Sequence, residues 1–301
     1  TLLASRLLWG LGNGAPANMR ATVARDLYLG DDMARVVSRV MGFFLLGPIV
    51  VPLLAEGILA VGSWRLVFTV GLALAGVGTV WSLRFGETLA PVDRRPLGWA
   101  ATGEAFHQIV KSRTTVGYLI ALTFTQAAFF VWLGSSQPVF DLVYGRADRF
   151  AVMFSAGGVV MAVGFFSVGW FINRYGAHRV ATASIGVVLV LNIALVALAA
   201  RSGGRPGFWV WFILMTASNV FLSMVTPTGL ALALRPMGAI AGTAAGVIGA
   251  CSMAGSAVLA ALVDARISTT VTPMTVGYLL YSVLALAAAL WARPEGRDPP
   301  E

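Results

Sequence analysis

The sequence predicts an all-α membrane protein, and three observations predict it. Charged residues make up only 11% of the 301-residue chain. An ordinary soluble domain carries about 25%, and a chain this poor in charge could not cover its surface in water. Hydrophobic residues make up 58%, with a mean hydropathy of +0.82. The apolar residues come in runs of about 20, the length a helix needs to cross roughly 30 Å of hydrocarbon. They do not come as the alternating strands of a barrel. Helices satisfy their own backbone polar groups in lipid, so long unbroken apolar runs read as helices.

Nine such runs are present. They cover residues 1–23, 36–61 and 64–83, then 116–136, 150–172, 180–200, 208–234, 239–263 and 273–292. Between the third and fourth lies the longest polar interval, from Arg84 to Arg113, with Pro91, Pro96 and Gly98 as breakers and five Lys/Arg residues. The expected organisation is three spans in residues 1–84, a central cytoplasmic loop in 85–114, a six-span bundle in 115–292 and a cytoplasmic tail in 293–301. Pro227 lies inside the seventh run, where a kink is expected because proline removes a backbone donor.

The positions of Lys and Arg set the orientation. If the loop after the first run is cytoplasmic, 14 of the 21 Lys/Arg residues face inside, six face outside, and Arg6 is left within a span. The opposite orientation inverts this ratio against the positive-inside tendency. The C-terminus is therefore expected in the cytoplasm. The net charge of +8 reads the same way, as basic loops facing the anionic leaflet and not as a nucleic-acid surface. Trp64, Trp209, Trp211 and Trp291 lie near span ends, where an aromatic belt would place them. Cys251 is the one cysteine, which excludes an intrachain disulfide and a cysteine metal site. His107 and His178 fall in polar loops.

Few residues carry candidate chemistry. Arg6 is costly at a helix centre, about 2.5–3.5 kcal/mol on insertion scales, unless it snorkels to an interface. Gly10 and Gly14 are four apart and share a helix face that a neighbour can approach. Gly47, Pro48 and Pro52 form a compliant joint in the second run, or a plain structural kink. Glu56 is an acid within the same run but near its outer end, where water reaches it. Gly238, Gly242, Gly246, Ala250 and Ala254 make a small-residue stripe at spacing four, a signal of close helix packing.

The fourth and seventh runs are polar for membrane helices. Gln126, Trp132 and Gln137 from one and Asn219 from the other are candidates to line a water-filled cavity, although hydroxyls nearby can equally bond back to their own helix. The connection between the fifth and sixth runs carries Asn173, Arg174, Gly176, His178 and Arg179, and reads as a tight basic hairpin. No nucleophile elbow, phosphate loop, HExxH or carboxylate cluster is found, so neither an enzyme nor a metal or cofactor is expected.

Taken together, these residues resemble the major facilitator superfamily, and within it the Bcr/CflA group of drug:proton antiporters. Arg6 through Gly14, then Arg25 and Asp26, resembles the fourth-helix motif and its cytoplasmic end. Gly47-Pro48 with Pro52 resembles the fifth-helix antiporter motif, although Ala55-Glu56 stands where glycines are usual. Trp64-Arg65 with Phe68, then Glu87-Thr88-Leu89, is similar to the region from the fifth to the sixth helix. Gly169 to Arg179 resembles the second copy of the superfamily's loop motif, and Ala241 to Ala244 the eleventh-helix signature.

The resemblance implies a twelve-helix fold of two halves, of which the nine runs would be helices four to twelve. It implies proton-coupled efflux of small amphipathic drugs across a bacterial inner membrane, with Arg6 in proton coupling, Arg25 and Asp26 with the Asn173–Arg179 loop as cytoplasmic gating elements, and a multi-pass monomer in the bilayer. The competing expectations are a carrier of the same fold for a metabolite or siderophore, a membrane-embedded enzyme acting on lipid, and a non-transporting structural or sensor protein.

Overall fold

The computed structural model describes Ser5, Gly10, Gly12, Leu46, Gly47 and residues 49–84 and 99–292. Among these, every regular element is helical. The chain divides into two compact units, Thr1–Leu97 and Gly98–Glu301. The expectations for Arg6, Gly14, Arg25, Asp26 and Pro48 lie outside the described residues.

The first unit contains α1 (Ile49–Val61) and α2 (Trp64–Arg84), separated by a bend at Gly62. The bend is held by the Gly62 N–H donating to Ile58 O at 2.9 Å and the Leu66 N–H donating to Ser63 O at 2.9 Å. Pro52 sits within α1 without interrupting it.

The second unit opens with α3 (Trp99–Lys111). Part of the interval 85–114, expected as the central cytoplasmic loop, is thus helical. Its residues include Ala100, Ala101, Glu104 and Ala105, all compatible with helix, and Ile109 is buried while the flanking Val110 is exposed. A short amphipathic helix can lie along a bundle end, and its polarity hid it from a search for spans. His107 is therefore on a helix.

Six long helices follow: α4 (Arg113–Pro138), α5 (Phe150–Tyr175), α6 (Ala177–Arg201), α7 (Phe208–Leu234), α8 (Ala241–Asp264) and α9 (Thr272–Trp291). Short connections force an up-and-down order, as in bundles generally. One end of the bundle gathers the start of α4, the α5–α6 turn and the end of α9. The other gathers the α6–α7 and α8–α9 connections. They are called here the Gly176 end and the Gly204 end.

Several local features set the helix limits. Ser112 caps α4, its hydroxyl accepting from the Thr115 N–H at 3.2 Å, which satisfies one of the orphan donors of the first turn. α4 does not stop at Pro138 but runs on into a π-turn at Val139–Val143. Gly176 alone joins α5 to α6, with φ +80° and ψ 148°, a conformation that is essentially glycine's own. α7 is continuous through Pro227.

α4 is the hub, packing against α7, α8 and α9, while α7 also packs against α5 and α6. Two apolar clusters fill the unit. One, toward the Gly176 end, holds Tyr118, Ile185, Ile248 and Ala285. The other, toward the Gly204 end, holds Trp132, Phe140, Trp211 and Met274. The outward faces are apolar too. On α5, Val152, Val159, Val163, Phe166 and Trp170 are exposed at helical spacing, a stripe suited to lipid.

One sequence expectation is corrected here, and another is left to contacts outside this unit. Trp211 is fully buried, whereas Trp64, Trp209 and Trp291 are about half exposed. Residues two apart on a helix point roughly 200° apart, so Trp209 and Trp211 could not both face a membrane border. The other is the small-residue stripe. Gly242, Gly246, Ala250 and Ala254 are exposed within this unit, and a Cβ at Gly246 would meet nothing within 4 Å. The face of α8 that packs inside the unit is the largely opposite one, Ala244, Ile248, Ser252, Ser256 and Ala260. Spacing four occurs on every face of a helix, so a stripe of small residues does not show which face is inward.

Candidate functional site

The interior of the second unit holds polar groups in three levels. At the Gly176 end, the Thr115 hydroxyl donates to Ala233 O at 2.9 Å, and Arg113 Nε donates to Trp291 O at 2.9 Å while its guanidinium lies 5.1 Å from the indole centroid. The Tyr118 hydroxyl is hydrogen-bonded to His178 Nδ1 at 2.5 Å. This pair ties α4 to the first turn of α6. His178, expected in a polar loop, is on the helix. The other residues of that turn, Asn173, Arg174 and Arg179, are exposed, and the Arg174 guanidinium lies 5.8 Å from the ring centroids of both Trp170 and Tyr175.

The middle level contains Asn219, almost fully buried on α7. Its Nδ2 donates to Met215 O at 2.9 Å, and its Oδ1 accepts from the Tyr278 hydroxyl of α9 at 3.1 Å. Asn192 of α6 donates to Val188 O at 2.7 Å and to the Ser218 hydroxyl at 3.5 Å. Several buried polar atoms have no hydrogen-bond partner among the described residues, among them Gln126 Oε1, Asn192 Oδ1, Thr216 Oγ1 and Trp211 Nε1. Buried polar atoms are normally satisfied. Each such atom is a point at which water or a polar group would be stabilised.

At the Gly204 end the interior is aromatic. Trp132 stacks on Phe154 at 5.7 Å between centroids and lies 6.0 Å from Trp211. Phe140 meets Phe150, Phe208, Phe212 and Trp211 edge-on. Tyr144, outside the spans, donates to Pro206 O at 3.0 Å. Burial pushes its phenol above the ordinary value. The Gly204 carbonyl accepts from the Val271 N–H at 2.9 Å, and Arg205 Nε donates to Thr269 O at 2.8 Å.

The structure brings Trp132 and Asn219 into this interior and half-buries Gln126, but it leaves Gln137 exposed. Gly10, Gly47 and Pro52 are helical, and no described atom lies within 4 Å of a Cβ placed at Gly10 or Gly47. Glu56 is exposed. The sequence reading missed Tyr278, Asn192 and Asp264. The first two lie in spans where a single polar residue looks incidental, and Asp264 falls one residue beyond the run drawn there. No group of three His, Cys, Asp or Glu placed to hold a metal occurs among the described residues.

Six lipid-length helices in up-and-down order around a buried polar and aromatic interior define a multi-pass membrane protein. The family comparison agrees: the Major Facilitator Superfamily model matches residues 1–261, and the chain belongs to that family. It is similar to a bicyclomycin resistance protein homolog of Haemophilus influenzae, 26% identical over 94% of this chain and 71% of that protein. It is also similar to an uncharacterized MFS-type transporter, YdgK, of Bacillus subtilis, 25% identical over 91% of this chain and 68% of that one.

Proposed function

We propose that this transporter is a proton-coupled multidrug efflux carrier of a bacterial inner membrane, exchanging protons inward for amphipathic drugs outward. The observation that carries this reading is the similarity to the bicyclomycin resistance protein homolog along 94% of the chain. The unsatisfied polar atoms and stacked aromatics inside the second unit support it, because a promiscuous cavity needs apolar wall with a few polar points.

In this reading Gln126, Trp132 and Asn219 line the drug path, with Gln137 at its edge. Arg6 takes part in proton coupling, with Gly10 and Gly14 beside it. Gly47, Pro48 and Pro52 act as the joint between access states. Arg25, Asp26, Asn173, Arg174, Gly176 and Arg179 gate the cytoplasmic side, so the Gly176 end and the C-terminus face the cytoplasm. Gly238, Gly242 and Gly246 serve close helix approach outside the interior of the second unit. The carrier works as a monomer, by rocking of halves around a midplane site.

The test is drug-stimulated proton movement in proteoliposomes holding the full-length protein. Wild type should move protons when a drug gradient is imposed. Arg6→Ala should reduce this to background while membrane insertion is unchanged. Wild-type rates in that variant would remove Arg6 from the mechanism. Absence of proton movement with several drugs in wild type would favour a carrier for a metabolite or siderophore.

A further inference from the structure

The two ends of the second unit differ in charge. Between Trp99 and Ala292 the carboxylates are Glu104, Asp141, Asp148 and Asp264, and all but Glu104 lie at the Gly204 end. The Gly176 end sets Lys111, Arg113, Arg174, Arg179 and Arg235 against Glu104 alone among the described residues. Glu104 is engaged on its own helix, where its Oε1 accepts from Gln108 Nε2 at 3.3 Å.

Two of these cations stand out by what lies beside them. Lys111 ends α3 and Arg113 begins α4, with Ser112 as the non-helical joint between them. Both side chains are exposed, and neither forms an ion pair with a described residue. Arg113 is nonetheless held in place. Its Nε donates to Trp291 O at 2.9 Å, and its guanidinium lies 5.1 Å from the indole centroid. That bond uses one of five donors. The four on the Nη atoms bond no described residue, and a planar fork anchored in this way matches the oxygens of a phosphate.

An apolar track leads from this pair along the surface of the bundle. α4 and α9 touch at Gly117, where a Cβ would collide with Ala292. Ile120, two turns beyond Arg113 on the same face of α4, is exposed, and so are Leu280, Val283, Leu284 and Leu290 along α9. Trp291 is half exposed at the head of that stripe, the place an interfacial indole occupies between headgroup and acyl chain. Neither helix contains a carboxylate.

We propose that Lys111 and Arg113, with Trp291 beside them, bind the headgroup phosphate of an anionic phospholipid whose acyl chains lie along the exposed track of α4 and α9. A phospholipid meets both features at once. Its phosphate pairs with the two cations, and its chains cover side chains that a free phosphate would leave bare. An anionic headgroup is preferred over a zwitterionic one, because choline brings a cation of its own toward Lys111 and Arg113. The ligand belongs to the bilayer and is not cargo, so this site stands or falls apart from the efflux reading.

The experiment titrates the full-length protein, in micelles of a neutral detergent, with dioleoyl phosphatidylglycerol and separately with dioleoyl phosphatidylcholine. Bound lipid is read by native mass spectrometry. Wild type should bind phosphatidylglycerol the more tightly. Lys111→Gln and Arg113→Gln should each raise the Kd for phosphatidylglycerol about fivefold, the worth of one cation near an anionic surface, and leave phosphatidylcholine unchanged. Lys111 is exposed, so its variant keeps the fold even if Arg113→Gln loosens the end of α9. Arg201→Gln, which removes an exposed cation from the other end, should leave both values within about twofold.

Equal affinity of wild type for the two lipids overturns the proposal. So does an effect of Arg201→Gln as large as that of Lys111→Gln, because overall charge and no site would then be read. A preference that is absent in wild type and emerges when Glu295 and Asp298 are changed to Gln and Asn also overturns it, and assigns the two cations to the acidic residues that follow α9 in sequence.

Discussion

A buried hydroxyl and a buried amide oxygen meet where Tyr278 donates to Asn219, both almost without exposure. Neither has water to turn to, so the bond matters through the cost of leaving Asn219 Oδ1 alone. Interhelical bonds of this kind in membranes contribute about 1 kcal/mol. Tyr278→Phe should therefore lower the unfolding free energy of the detergent-solubilised protein by about 1 kcal/mol. A variant as stable as wild type would mean the pair does not form. The same reasoning separates Asp264 from the other polar groups. Its carboxylate accepts from the Ser135 hydroxyl and lies over Gly134, a relation between residues 129 positions apart that spacing along the chain does not reveal.

Which face of a helix is inward decides what each element does. On α8 the buried line runs through Ala244, Ile248 and Ser252, and the glycine stripe lies largely on the opposite side. Ile248→Ala should cost about 2–4 kcal/mol, the usual loss for truncating a fully buried aliphatic chain. Val190→Ala, at an exposed position of α6, should change stability by less than about 0.5 kcal/mol. Chemical unfolding in mixed micelles measures both. Comparable losses would mean that the bundle's packing faces differ from those described. The turn at Gly176 was legible beforehand, since a glycine between two long apolar runs has few other uses. Helix α3 was not, because its alternation of polar and apolar residues lies below any threshold for a span.

Across the whole molecule, the direction of insertion organises every functional statement. The proposed orientation puts the Gly176 end, with the arginines of the α5–α6 turn, in the cytoplasm, as the positive-inside tendency favours. This is checked by cysteine labelling. In a Cys251→Ser background, Asn173→Cys should react with a membrane-impermeant maleimide in inverted vesicles and stay unlabelled in right-side-out ones. Labelling from the outside would reverse the proposed direction of transport and exchange the roles of the two bundle ends.

Composition and run length alone were enough to establish an all-α membrane protein, the long spans of the second unit and the connections between them. The hydrocarbon thickness imposes those lengths directly, and basic residues collect in the turns. The motif pattern around Gly47 and the Asn173–Arg179 turn was enough to point to the Major Facilitator Superfamily. Tertiary packing alone decided that Trp211 is core and Trp209 is not. It also decided that the stripe at Gly242 and Gly246 lies off the unit's packing face, that Tyr118 meets His178, and that Asp264 rests over Gly134. In lipid both faces of a helix are apolar, so the contrast that marks the inward face of a soluble helix is absent. The inward face is then defined only by the shapes and hydrogen bonds of its neighbours.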